Sequence, residues 1–132
     1  MNTTPLAVVR KYFDALSAKD FATVAGLFAD DIVWHQPGAN RFSGTHRGSA
    51  AVNEMIGGMM AVSAGTFELT PTTAPMANGT LVAAPIHFSA QRDSAAIAMD
   101  GVDLLRVEGD RIAEVWLFSA DQQAEDAFWG AG

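Results

Sequence analysis

The chain changes its hydrophobic rhythm once, near Gly65, and that change limits the folds open to it. Before it, apolar residues recur at helical spacing. Thr4-Pro5 is a cap followed by a first-turn proline, and Leu6, Val9, Phe13 and Leu16 predict a helix from about Pro5 to about Ser17. Asp20 caps a second helix with Phe21, Val24, Ala25 and Phe28 on its apolar face, ended by Asp30-Asp31. A strand "IVWHQ" follows, then a polar loop "GANRFSGTHRGS", then a third helix capped by Ser49 and carrying Val52, Met55, Ile56, Met59 and Met60. After Gly65 come "TFELTPTT", "TLVAAPIHFSAQ", "AAIAMDGVDLLRV" and "RIAEVWLFS", β-rich runs separated by turn signals. Asn78-Gly79 marks a two-residue hairpin and Glu108-Gly109-Asp110 a second tight turn, so the four runs predict an antiparallel meander. A short helix in "ADQQAEDAFWG", with Phe128 and Trp129 on one side, closes the chain. Helices first and strands afterwards define an α+β protein, a sheet packing one face on segregated helices.

No linker, repeat or low-complexity tract divides residues 1–132, which are expected to form one domain. Eight basic residues against 15 acidic ones leave a formal charge of −7, and no window concentrates lysine or arginine. Such a field repels phosphate backbones and anionic lipid, so neither nucleic acid nor a membrane is an expected partner. With no cysteine, disulfides, thiolate chemistry and thiolate metal sites are excluded together. No apolar run approaches membrane-spanning length, and a cytoplasmic protein is expected.

Candidate chemistry begins with Asp103. In "MDGVDLLRV" it shares a strand face with Met99, Gly101, Leu105 and Val107. If that face meets the helices, the carboxyl lies among apolar neighbours and can persist as a neutral acid that donates a hydrogen bond. On the other face it is an ordinary solvated charge, and alternation alone does not choose. Tyr12, the only tyrosine, is either a core aromatic or a hydroxyl meeting Asp103 across a hollow. In "VWHQPG", His35 can act as a base near neutral pH or as a structural donor. It shares a face with Trp34 and Gln36 only if the strand bulges. His35, His46 and His87 have no metal-ligand spacing, and no phosphate loop or nucleophile elbow occurs, so neither metal nor other cofactor is expected.

Taken together, "AVVRKYFDALSAKDFATVAGLFADD", the tryptophan-histidine strand end before Pro37-Gly38, "GTHRG" before a helix, and "DLLRVEGDRIAEVW" resemble the SnoaL-like and ketosteroid-isomerase-like branch of the nuclear transport factor two-like superfamily. The resemblance covers nearly the whole chain. It implies a cone, in which a strongly curved antiparallel sheet of the cystatin-like kind wraps the N-terminal helices around an apolar cavity, commonly in a homodimer. Two of the three working residues of steroid isomerases have counterparts, the helix-one tyrosine at Tyr12 and the oxyanion-hole aspartic acid at Asp103. The family's general-base aspartate falls on Gln36, which is not a base at neutral pH.

The implied activity is proton abstraction next to a carbonyl in a small hydrophobic metabolite, leading to isomerisation, cyclisation or dehydration. In that scheme a bulge swings His35 into the base position, Asp103 and Tyr12 stabilise the enolate oxygen, and Gln36 orients the substrate. The apolar wall is expected from Phe13, Phe28, Trp34, Met55, Met59, Phe88, Val115 and Leu117. The alternatives are an inert ligand-binding or dimerisation module, which Gln36 favours, and an epoxide-hydrolase-like site that activates water. A homodimer through the exposed sheet face is expected.

Overall fold

The computed structural model describes residues 4–131. Helix α1 (Pro5–Ser17) starts where the proline predicts, and the Thr4 hydroxyl accepts from the Ala7 N–H at 3.1 Å. It buries Val8, Val9, Tyr12 and Phe13. Helix α2 (Phe21–Gly26) is capped by Asp20 as expected but is shorter than its apolar spacing suggested. Phe28 through Asp31 belong instead to strand β1 (Phe28–Gln36). Gly26 ends the helix, and the Leu27 carbonyl accepts from the Ile112 N–H at 2.7 Å, so the chain is captured by the sheet.

The segment read as a loop contains a short strand, β2 (Gly44–Arg47), paired antiparallel with the end of β1. Its exposed polar side chains carry no alternation that a sequence can show. Helix α3 (Ser49–Val62) takes Gly48, at φ 91°, as its N-cap, with no side-chain cap, so Ser49 is its first residue and not its cap.

The meander after Gly65 forms as expected, with one addition. Strands β3 (Glu68–Pro71) and β4 (Met76–Asn78) both pair with β5 (Leu81–Arg92), which pairs with β6 (Ala95–Glu108), which pairs with β7 (Arg111–Ser119). Pro85 sits inside β5 without breaking it, because its nitrogen points to the edge where β3 has ended and β4 has not begun. The β4–β5 turn is made by Gly79-Thr80, one residue later than expected, since Asn78 already pairs with Leu81.

The sheet is not wholly antiparallel. Strand β1 lies parallel to β7, giving a curved, open, mixed sheet of order β2-β1-β7-β6-β5-β3. Its inner face carries Ile32 and Trp34 from β1, Ile86 and Phe88 from β5, and Leu105 and Val107 from β6, all buried against the helices. Helix α4 (Gln122–Trp129) covers the far end with Phe128 and Trp129. Among the described residues no helix is long and apolar enough to cross a membrane.

Candidate active site

Strand parity decides what reaches the interior. From Val33 to Gln36, β1 pairs with β2 residue for residue, without a bulge. Trp34 and Gln36 therefore point inward and His35 outward. His35 does not enter the site: its Nε2 lies 2.7 Å from the Glu114 carboxylate, and its ring stacks on Trp116 at 5.5 Å. The expected catalytic imidazole is a feature of the outer sheet face, and the bulge that would have turned it inward is missing. The irregularity in β1 falls earlier, between Phe28 and Val33 against β7.

An apolar pocket with an open mouth lies between the inner face and the helices. Tyr12, Trp34, Gln36, Met59, Phe88, Asp103 and Leu117 line it, as expected. Phe13, Phe28, Met55 and Val115 do not; they belong to the solid core. Phe13 and Phe28 stand a rank behind, their rings 5.1 and 6.0 Å from that of Tyr12. Helical and strand periodicity marks inward residues without distinguishing a pocket wall from the packing behind it. Leu16, Ile56, Met60, Phe67, Leu69 and Ile86 add to the apolar lining, with Phe21, Pro37 and Phe118.

Five polar groups interrupt this surface: Asp103, Tyr12, Gln36, Glu125 and Ser119, whose hydroxyl is spent on Glu125. Asp103 is only 3% exposed, among inward-facing neighbours on β6, which answers the question its alternation left open. Burial, with the nearby charge of Glu125, pushes its carboxyl up to about 8, so at neutral pH it is mainly the protonated acid. Tyr12 is 2% exposed, and burial, with the Asp103 charge, pushes its phenol well above the usual range; it stays a donor. Neither side chain has a hydrogen-bond partner among the described residues, yet neither holds a fully enclosed unpaired atom, so both polar ends open onto the pocket.

Gln36 is fixed differently. The Trp34 indole, which can only donate, gives its N–H to Gln36 Oε1 at 2.9 Å. The Gln36 amide nitrogen is thereby left to donate into the pocket. The fourth group, Glu125 of α4, escaped sequence reasoning. It is buried against the pocket and accepts from the Ser119 hydroxyl at 2.6 Å, the Gln122 amide at 3.1 Å and the Trp129 indole at 3.2 Å. A signal existed: Glu125 stands three and four residues before Phe128 and Trp129, on the face that helix α4 buries.

The arrangement offers three donors, Tyr12, Asp103 and Gln36, and one ionisable acceptor, Glu125, in an otherwise apolar hollow. Such a set receives an oxygen that only accepts, with the low-dielectric surroundings strengthening each bond. Among the described residues no three histidine, aspartate or glutamate side chains gather to hold a metal ion.

The fold recurs in known proteins. A protein of unknown function with a cystatin-like fold from Xanthomonas campestris is 47% identical, with a TM-score of 0.92 over 98% of this chain and 99% of that one. An uncharacterized protein of Mycobacterium tuberculosis is 29% identical over 124 residues, 94% of this chain and 95% of its own. A Pseudomonas putida protein that carries the name of a polyketide cyclase shares the fold at 16% identity, with a TM-score of 0.74 over 95% of this chain and 98% of its own. The model of the SnoaL-like domain matches residues 9–115, and the chain belongs to that family.

Proposed function

We propose that the pocket binds a small hydrophobic metabolite through a carbonyl oxygen and promotes loss of a proton from the adjacent carbon, as in isomerisation, cyclisation or dehydration. One observation carries this reading: a neutral acid at Asp103 and a phenol at Tyr12, both buried and both without partners among the described residues, open onto one apolar pocket. A lone buried donor is costly unless a ligand or water meets it, and two together suit the growing charge of an enolate oxygen. The apolar remainder of the wall favours a ligand with few other polar groups.

Gln36 supports a second reading, binding without turnover, because an amide occupies the place where the family's steroid isomerases keep a carboxylate. 2-Naphthol, an apolar bicycle with one enol-type oxygen, tests the part common to both. Saturable binding is expected, and Tyr12→Phe, which deletes one donor, should weaken it roughly two- to tenfold. Failure of the wild-type protein to bind 2-naphthol would overturn the proposed site. The protein is further proposed to pair as a homodimer through the outer sheet face, where Phe118 is 58% exposed. Light scattering that finds monomer alone at micromolar concentration contradicts that pairing.

A further inference from the structure

Resting on the carbonyl-binding reading above, we infer that the Glu125 carboxylate is the proton acceptor of the site, in place of the carboxylate that Gln36 lacks. Two observations converge on it. Glu125 is a carboxylate 5% exposed whose residue lines the same pocket as Asp103 and Tyr12. Its two oxygens are unequally occupied: Oε1 accepts from both Ser119 and Gln122, whereas Oε2 accepts from Trp129 alone. A carboxylate oxygen with one donor keeps a lone pair for another partner.

The backbone places this group next to the donors. Ser119 faces Gly101 across the β6–β7 ladder, and Asp103 faces Leu117 one step along the same inner face. Gly101 has no side chain, and a Cβ there would overlap the Phe118 carbonyl oxygen and crowd the Ile86 side chain. The chain is thus closely packed beside Asp103, where the Ser119 hydroxyl meets Glu125. Two carboxyl groups share one hollow in different settings: Asp103 has no partner among the described residues, and Glu125 is held by three donors.

The step balances without a further reactant. The Glu125 carboxylate takes the proton from the carbon beside the carbonyl, and the C–H electron pair becomes the carbon–carbon π bond of the enolate. The carbonyl π pair moves onto oxygen, where Asp103 and Tyr12 donate hydrogen bonds. Return of the proton from Glu125 to the same or a conjugated carbon regenerates the carboxylate.

Deuterium exchange next to the carbonyl of 2-tetralone in heavy water, followed by NMR, tests the assignment beside 2-naphthol titrations. Wild-type protein should accelerate exchange, and Glu125→Gln should lower that acceleration roughly 10²–10⁴-fold. The glutamine oxygen can take the Oε1 place and still accept from Ser119 and Gln122, with its amide nitrogen left opposite the Trp129 N–H, so 2-naphthol affinity of the folded variant should stay within about threefold. Ser119→Ala removes one donor to the charged form and should move the acidic limb of the exchange profile to higher pH, a change that a purely structural glutamate would not cause. If Glu125→Gln fails to fold, that profile decides: an unmoved limb overturns the assignment. Exchange as fast in Glu125→Gln as in wild type overturns it too. So does a wild-type protein that binds 2-naphthol without accelerating exchange, whereas loss of 2-naphthol binding itself sinks the carbonyl-binding reading.

Discussion

Strands β6 and β7 carry polar side chains on both faces, and the two faces treat them in opposite ways. Outside, Arg106 reaches both Glu108 and Glu114, and Glu114 also meets His35 at 2.7 Å. The His35 hydrogen bond, with help from Arg106, holds the Glu114 carboxyl below the usual carboxylate range. Every charge there has a neighbour of complementary chemistry and access to water. Inside, Asp103 faces Leu117, has no partner among the described residues, and keeps its proton. A surface network of the first kind contributes little to stability, because solvent screens it and long side chains lose freedom in forming it. An inward acid of the second kind is a standing cost, which the fold tolerates only where something outside the chain can use the group. Polar residues alone thus do not mark a site; polar residues left unanswered do.

The largest test of that contrast is Asp103→Asn. The folded state holds the Asp103 proton up to about 8, whereas the unfolded chain loses it near 3.8. Between those values the native state binds more protons, so stability falls as pH rises and levels off above 8. The slope is on the order of 1.4 kcal/mol per pH unit. Asparagine removes it, so urea midpoints should show the variant gaining on wild type from pH 5 to pH 8. Parallel pH profiles for the two proteins would mean that the carboxyl is solvated after all.

Neighbours on β1 sharpen the comparison at smaller amplitude. Trp34→Phe deletes the indole donor and leaves the buried Gln36 carbonyl without it, at an expected cost of about 1–3 kcal/mol in denaturant unfolding. His35→Ala, one residue along and facing out, should cost under about 1 kcal/mol and leave 2-naphthol affinity unaltered. If His35→Ala proves the more damaging of the two, the inward and outward assignments of this strand are reversed.

Much of the architecture was legible because local chemistry and global fold agree. Thr4-Pro5, Asp20 and Gly109 each act where their residue type predicts. Periodicity failed where a tertiary partner outvoted it: Phe28 fits the apolar face of α2, yet the sheet takes it, because its backbone pairs with Ile112 of β7. In β2 the failure is of another kind, since an exposed edge strand of polar residues has no pattern to detect. Within the site, alternation grouped Asp103 with Leu105 and Val107, but only the packed helices show which face is inside. His35 was misplaced by supposing a bulge that chemistry wanted and the ladder did not supply. Glu125 was overlooked because its role comes from Ser119 and Trp129, contacts that the docking of α4 on the sheet brings about.

The parallel seam between β1 and β7 bears on how the molecule is assembled. His35 and Glu114, which meet across it, are 79 residues apart in the chain, whereas β5, β6 and β7 are joined in succession by tight turns. Closing so long a loop precedes any reward from the contacts it makes, which tends to slow folding. Substitutions that loosen this seam should therefore be read in refolding rates as well as in equilibrium midpoints.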